Sequence, residues 1–224
     1  MAKTKATGAD LMETAPKKAK AVTEQKSDAL ALKLPELDFR QMTITVQGMS
    51  PLIVNHFNKK MVGMMLDKQM KKATKGREAK DPEQMYKDSL YLFQDEKTTG
   101  FPAIGFKAAM VRAGKLLGMA MTDTRGKFHV LADPKSGNGL IEIKGEHRLR
   151  QDTVRLATGV ADIRFRAEFP EWEADVTIMY NATWISKEQI AQLLTAAGFS
   201  CGIGEWRPEK SSSGSFGLFN LKAA

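Results

Sequence analysis

The chain contains a single cysteine, Cys201, so no disulfide can form within it, and this fits a reducing compartment. No apolar run approaches the roughly 20 residues that a membrane-spanning helix needs. The N-terminus has lysines but neither an apolar block nor a cleavage-like site, so we expect no secretory signal. Together these absences predict a cytoplasmic protein with no membrane partner.

Common enzyme and metal-site motifs are also missing. The three histidines and the one cysteine are scattered along the chain, and their spacing fits no zinc site. The sequence has no GxxxxGK[ST] phosphate-binding loop, no GxSxG nucleophile motif and no HExxH metal-binding motif. We therefore expect no cofactor and no metal ion, and we favour a binding function over catalysis.

Positive charge is in excess. The 224 residues include 34 Lys and Arg against 26 Asp and Glu, which gives a formal net charge of +8 and a pI of about 9.5. Excess positive charge attracts polyanions, so nucleic acid is the first partner to consider. The alternative is a basic protein with no polyanionic partner. Hydrophobic residues make up 42% of the chain, which is enough for one globular core.

Residues 1–37 are predicted to form a disordered basic tail. Up to Lys33, seven lysines oppose four acidic residues, and there is no aromatic residue. Such a segment cannot bury enough apolar surface to order itself. It is either a basic arm or a solubilising tail. Residues 38–224 are predicted to form a single domain.

The domain opens with a strand followed by a helix. Met42, Ile44 and Val46 alternate with polar residues, which predicts a half-buried strand. Apolar residues then recur at helical spacing, which predicts a helix whose methionines pack in the core or on a packing surface. The residues at this spacing are Val54, Phe57, Met61, Met64 and Met65.

Residues 59–80 are predicted to be an inserted basic arm. This stretch contains eight basic and two acidic residues. Its lysines either form a solvated face or contact phosphates. The lysines considered as contacts are Lys59, Lys60, Lys68, Lys71 and Lys72.

Two later helices are clearly marked. In "FKAAMVRAGKLLG" an apolar face is opposed by a basic one, and Gly118 is a plausible stop. The apolar face comprises Phe106, Ala109, Met110, Ala113 and Leu117, and the basic one Lys107, Arg112 and Lys115. Ser186 and Gln189 form a capping box at the start of the second helix, which we expect to end at Gly198.

The remaining segments read as strands. Residues 119–150 are predicted to form a hairpin insertion, and "ADIRFRAEFPEWEADVTIMY" predicts two strands. The first of these has an apolar face and a polar face, and the polar face carries Arg164 and Arg166 beside acidic residues. These two arginines either contact nucleic acid or form structural ion pairs. The order of elements predicts an α+β fold, a ferredoxin-like or RRM-like antiparallel sheet with helices on one face and with insertions.

The stretch "CGIGEWRPEKSSSGSFGLF" links the last helix to the last strand. Glycines at 202, 204, 214 and 217 can adopt positive φ and allow a ligand backbone to approach. Bare N–H groups in such a loop would hold an anion, Arg207 and Lys210 add charge, and Trp206 offers a stacking face. The alternative is a surface loop whose tryptophan packs into the core.

Three segments together resemble the RAMP superfamily (repeat-associated mysterious proteins), which includes RNA-binding subunits of CRISPR effector complexes. They are the glycine-rich loop, the "GFPAIGFKAAMVRAGK" turn and helix with Lys107 and Arg112, and the opening "ITVQGMSPLIV". The short basic chain with its Lys- and Ala-rich tail is also similar to phage-encoded proteins, which would place it in a bacterial host cell. The loop departs from the family pattern because serines at 211–213 replace some of its glycines.

The resemblance implies a protein that coats single-stranded RNA or DNA as a homo-oligomeric filament. It assigns phosphate contacts to Gly202, Gly204, Trp206, Arg207 and Lys210 in the loop, to Lys107, Arg112 and Lys115 in the helix, and to the arm at 59–80. Some relatives cleave RNA without metal by means of a histidine, which makes an endoribonuclease using His56 the second hypothesis. A third is a surrogate subunit of a CRISPR-like complex, which would contact other subunits of a nucleoprotein assembly.

Overall fold

A computed structural model of the chain describes residues 36–57, 59–72, 79–155 and 158–223, and for residues 59–61 the backbone alone. The strands are β1 (Phe39–Gly48), β2 (Leu52–Val54), β3 (Tyr91–Leu92), β4 (Thr99–Pro102), β5 (Phe128–Leu131), β6 (Leu140–Glu142), β7 (Arg148–Arg155), β8 (Ala161–Phe169), β9 (Glu173–Asn181) and β10 (Phe219–Leu221). The helices are α1 (Lys59–Gln69), α2 (Pro82–Ser89), α3 (Ala103–Leu116), α4 (Met121–Lys127) and α5 (Lys187–Ser200). The predicted tail lies outside the described residues, except for its last two positions.

A four-stranded antiparallel sheet organises the domain. Its strand order is β10-β1-β9-β5, and Ile44 of β1 pairs with Val176 of β9. Along the chain these strands and two helices run β1, α3, β5, β9, α5, β10. In the sheet, β9 lies between β1 and β5, and β1 lies between β9 and β10. Each of these two central strands runs antiparallel to both of its neighbours. This is the ferredoxin-like arrangement, and it confirms the predicted α+β fold.

The helices α3 and α5 cover one face of this sheet and pack on each other. Alternate residues of β9 are buried beneath them, from Ala174 to Tyr180, while their neighbours point to the other face. That other face is polar, and Thr43 and Thr177 share a hydrogen bond of 3.0 Å across it. The strand alternation predicted from Met42, Ile44 and Val46 is therefore confirmed.

Two three-stranded sheets complete the described part, in the orders β2-β8-β7 and β3-β4-β6. The β7–β8 hairpin has Arg150 paired with Arg166 and Asp152 paired with Arg164. Helix α2 packs on β8, and the Ser89 hydroxyl accepts a 2.8 Å hydrogen bond from the Ala167 amide. Strand β7 was missed from the sequence because six of its eight residues, RLRQDTVR, are polar or charged, so no apolar face is apparent.

The predicted hairpin at 119–150 is wrong. Strand β5 pairs with β9 in the central sheet, while β6 pairs with β4 in a different sheet. Between them, Asp133 accepts a hydrogen bond from the Lys135 amide and starts a short 3₁₀ turn. Phe128 is fully buried, so β5 contributes to the core rather than to an insertion.

The apolar residues of α1 are also placed differently from the prediction. Met64 and Met65 are 63% and 55% exposed, so they do not pack in the core. The helix begins only at Lys59, because Leu52–Val54 forms a strand. Leu117 was expected on the buried face of α3 but is exposed, since the helix ends one residue earlier.

The predicted helix ends are largely confirmed. Ser186 and Gln189 form the predicted capping box of α5. At α2, Asp81 accepts a hydrogen bond from the Gln84 amide and caps the helix. Gly118 follows α3 with φ of 81°. Helix α5 continues past Gly198 to Ser200. Within the described ranges, no helix combines the length and apolarity needed to cross a membrane.

Candidate nucleic-acid interface

The glycine-rich loop, residues 201–218, is held from within. The amide of Gly202 donates to the Ala197 carbonyl at 2.9 Å, that of Ile203 to Gly217 at 3.0 Å, and that of Gly217 to Pro51 at 2.8 Å. The expectation that these N–H groups are bare is therefore wrong. They cannot hold an anion without breaking bonds that fold the loop.

The loop glycines are explained by close approach of the chain to itself. Three of the four glycines for which positive φ was predicted adopt it: Gly202, Gly204 and Gly217 have φ of 65°, 80° and 67°, whereas Gly214 does not have positive φ. A Cβ on Gly204 would lie 2.5 Å from the Ile53 carbonyl oxygen, and one on Gly214 would lie 2.0 Å from that of Trp206. The backbone that passes close to these glycines is therefore that of the protein itself. The glycines thus have a structural role whether or not a ligand binds.

Arg112 of α3 and Arg207 of the loop meet at a shared carboxylate. Arg207 donates from Nε to Glu209 at 3.2 Å and from Nη1 to the Gly204 carbonyl at 2.7 Å. Arg112 forms an ion pair with the same Glu209. Burial lowers the pKa of Arg207, and the nearby charge of Arg112 lowers it further. The structure therefore joins the two predicted segments and concentrates like charge between them.

Lys115 and Lys210 flank this pair. Lys115 lies three residues after Arg112, hence on the same side of α3, and Lys210 follows Glu209 directly. Both are exposed, and neither forms an ion pair with any described residue. We refer to Arg112, Lys115, Arg207 and Lys210 as the basic cluster.

Trp206 is half-buried and packs against arginines rather than projecting freely. The guanidinium carbon of Arg166 lies 4.9 Å from the indole centroid, and that of Arg150 lies 5.7 Å away. The Phe216 ring is 5.8 Å from it. This cation–π packing occupies part of the indole surface. The stacking role predicted for Trp206 remains a prediction, and its contribution to loop packing is the alternative that these contacts favour.

Arg166 belongs to a buried ion-pair network. It contacts Asp152 at 2.8 Å, and the side chains of both are almost fully buried. Arg150 bonds to Asp152 at 2.9 Å and to Glu168 at 2.5 Å. The ion-pair interpretation of Arg166 is thus favoured over nucleic-acid contact. Arg164 is different, because its side chain is 41% exposed and lies 3.8 Å from Asp162.

The arm lies apart from the basic cluster in sequence, and Lys107, although on the same helix as Arg112, has a different contact. Lys68 is in the last turn of α1, Lys71 follows it, and Lys72 pairs with Asp67 at 2.8 Å. Lys59 and Lys60 lie in the first turn of α1, and their side chains are outside the described part. Lys107 Nζ lies 2.9 Å from His129 Nδ1, and burial lowers its pKa.

Sequence reasoning missed the acidic partners. Glu209 lies inside the loop sequence itself, and Asp152 lies in the strand that was not predicted. The sequence prediction counted the basic residues of each segment and did not consider that Glu209 could pair with both Arg112 and Arg207. Within the described ranges, no three His, Cys, Asp or Glu side chains are grouped so that they could hold a metal ion.

No family model and no curated protein matches the sequence. Among solved structures, a chain in a cryo-EM structure of the type III-B Cmr-beta bound to cognate target RNA matches with 10% identity and a TM-score of 0.48. That match covers 83% of this chain and 60% of the other. The crystal structure of Cmr6 from Pyrococcus furiosus matches with 10% identity and a TM-score of 0.42, over 83% of this chain and 98% of the other.

The resemblance of the sequence to the RAMP superfamily remains a prediction. At 10% identity and with TM-scores below 0.5, neither likeness carries an argument about fold or function. We therefore base the function on this chain's own residues.

Proposed function

We propose that the protein binds single-stranded RNA or DNA through the basic cluster, without cleaving it, and that several copies assemble along one strand. The observation that carries this proposal is the juxtaposition of Arg112 and Arg207. The two guanidinium groups share one carboxylate, Glu209, and the pKa of Arg207 is lowered partly by Arg112. A phosphate beside them would relieve this repulsion through charge-assisted hydrogen bonds.

The flanking lysines extend the same surface. Lys115 and Lys210 are exposed and form no ion pair with a described residue, so they can approach phosphates with no internal bond to break. Arg164 and the lysines of α1 are further contacts for a longer strand. A net charge of +8 favours the encounter with a polyanion.

The decisive measurement is the salt dependence of binding. Labelled single strands of RNA and of DNA are titrated with protein at several salt concentrations and followed by fluorescence anisotropy. For a single strand, the plot of log K against log salt has a slope of about −0.7 for each phosphate contacted. The variant Lys115→Ala/Lys210→Ala is expected to reduce the slope by about 1.4, because it removes two such contacts.

Lys97→Ala is the matched control, since Lys97 is exposed in the turn between β3 and β4, away from the cluster in sequence. It should leave the slope unchanged. A double variant that behaves like the control would show that the interface lies elsewhere, and a wild-type slope near zero would exclude nucleic acid as the partner.

Size-exclusion chromatography with and without the strand tests assembly. A complex that stays at one protein per strand, whatever the strand length, would contradict the filament.

The endoribonuclease hypothesis is tested in the same samples. His56 packs edge-on against Tyr91, and burial lowers its pKa. Among the described residues, none forms a hydrogen bond with its ring. A general base is oriented by a third group in the usual catalytic arrangement, and the charge of Asp88 is a smaller influence on the His56 pKa than burial is. RNA cleavage by the wild type that is lost in His56→Ala would establish the nuclease instead.

A further inference from the structure

A cavity of about 340 Å³ opens beside the first turn of α3, and no part of the proposed interface uses it. Its lining comes from four separate segments and includes His56, Tyr91, Pro102, Ile104, Asn138 and Leu140. No lining residue is charged. The volume is at the lower end of the range for small-molecule sites, about 300–1,000 Å³. The cavity is therefore suited to a small, uncharged group.

Aromatic and apolar surfaces form the walls. The rings of His56 and Tyr91 meet edge to face with centroids 4.8 Å apart, and both residues are only half-buried. At the rim, Ile104 is 78% exposed although it is a large apolar residue. A flat ring entering the cavity would cover this side chain and contact the two aromatic residues.

Polar groups at the cavity are uncharged but can form hydrogen bonds. Asn138 donates from Nδ2 to the Leu92 carbonyl at 2.9 Å, which orients its side chain and leaves Oδ1 as an acceptor. Burial lowers the pKa of His56, so its ring is neutral at pH 7 and has one donor and one acceptor nitrogen. These groups match the donor and acceptor edge of a heterocyclic base.

We infer that this cavity receives one unpaired nucleobase of the bound strand. The inference rests on the proposed function, because an unpaired base is available only in a single strand. Stacking against the His56 and Tyr91 surfaces with Ile104 over the base would provide affinity with little dependence on sequence. The Asn138 and His56 edge would add a preference among bases.

Lys107 supplies a place for the phosphate next to that base. It lies three residues after Ile104 on α3, so the two side chains share one side of the helix. Its ammonium group lies 2.9 Å from His129 Nδ1 and forms no ion pair with a described residue. The cavity and Lys107 therefore form a base-and-phosphate pair at the end of α3 opposite to Lys115.

The test uses a single strand that carries 2-aminopurine, whose emission is quenched by stacking, and a strand of abasic sites with the same number of phosphates. The variants are Ile104→Ala and Asn138→Ala, both at exposed positions, and thermal melting verifies their folding. Leu116→Ala is the control, because Leu116 is a 66% exposed apolar residue on the same helix but outside the cavity.

We expect each cavity variant to weaken binding of the ordinary strand by about fivefold, the lower end of the range for one stacked base, because the rings of His56 and Tyr91 remain. Emission of 2-aminopurine should rise, while abasic binding and the control should not change. If the wild type binds both strands equally and the cavity variants have no effect, the inference is wrong and the proposed function stands. If the wild type binds neither strand, the proposed function itself fails.

Discussion

Individual glycines in this chain carry different structural demands, and Gly217 carries the most severe. Its φ of 67° lies in the left-handed region, and a Cβ would stand 1.8 Å from the Ile203 carbonyl oxygen. Gly118 has a similar φ of 81°, but no atom lies within 4 Å of its Cβ position. The two positions therefore separate backbone strain from steric conflict within the same protein.

Gly217→Ala is expected to destabilise the fold far more than Gly118→Ala does. At Gly118 the loss is the left-handed strain alone, about 1–2 kcal/mol. At Gly217 the conflict with Ile203 must also displace the loop, so we expect a total above about 3 kcal/mol. Urea unfolding of both variants measures the difference. Equal losses would mean that the loop rearranges freely and is not braced as described.

The β7–β8 hairpin and the glycine-rich loop are tied together by charge as well as by packing. Asp152 of β7 holds both Arg150 and Arg166, and these arginines pack on Trp206 and Phe216 of the loop. Because the network is mostly buried, its members depend on one another more than surface ion pairs do. The loop that carries Arg207 and Lys210 is therefore stabilised by the neighbouring hairpin through Arg150 and Arg166.

Asp152→Asn should destabilise the protein by about 3 kcal/mol, because it leaves the buried guanidinium of Arg166 without its main counter-charge. The control is Glu171→Gln, at an exposed position in the turn between β8 and β9, which we expect to change stability by less than about 0.5 kcal/mol. Both values come from urea unfolding followed by circular dichroism. A small effect of Asp152→Asn would show that the network is solvated.

The elements that were predicted correctly have strong local signals. Alternation in β1, the capping box of α5 and the amphipathic pattern of α3 are each determined by neighbouring residues. Strand β5 was misassigned because its partner, β9, is about 50 residues away, and nothing local distinguishes that pairing from a hairpin. For the same reason the loop cations were predicted, but their sharing of Glu209 was not, since side-chain partners follow from tertiary packing.

At the scale of the whole molecule, the charges divide into paired and unpaired sets. On the open sheet face, Lys144 bonds to Asp175 at 2.6 Å and Lys222 bonds to Glu173 at 2.8 Å. The basic cluster, in contrast, has Glu209 as a shared partner for two arginines and no partner among described residues for its two lysines. Unpaired positive charge is thus present at the proposed interface, whereas these two lysines at the sheet face are paired.

Acid should destabilise the protein in two successive steps. Burial lowers the pKa of His56 and of His147 below the unfolded value of about 6.5, so their contribution is complete above that pH and is lost as the pH falls toward the folded values. A hydrogen bond from Lys144 lowers the pKa of Asp175, and one from Thr98 lowers that of Asp95. The contribution of these carboxylates is present above about pH 4 and is lost below it.

Urea midpoints measured between about pH 7.5 and about pH 5 should fall for the wild type and fall less for His56→Gln/His147→Gln. The control His129→Gln, at an exposed ring, should follow the wild type. If the double variant keeps the full wild-type slope over this range, burial of these two rings does not govern the acid response of the fold.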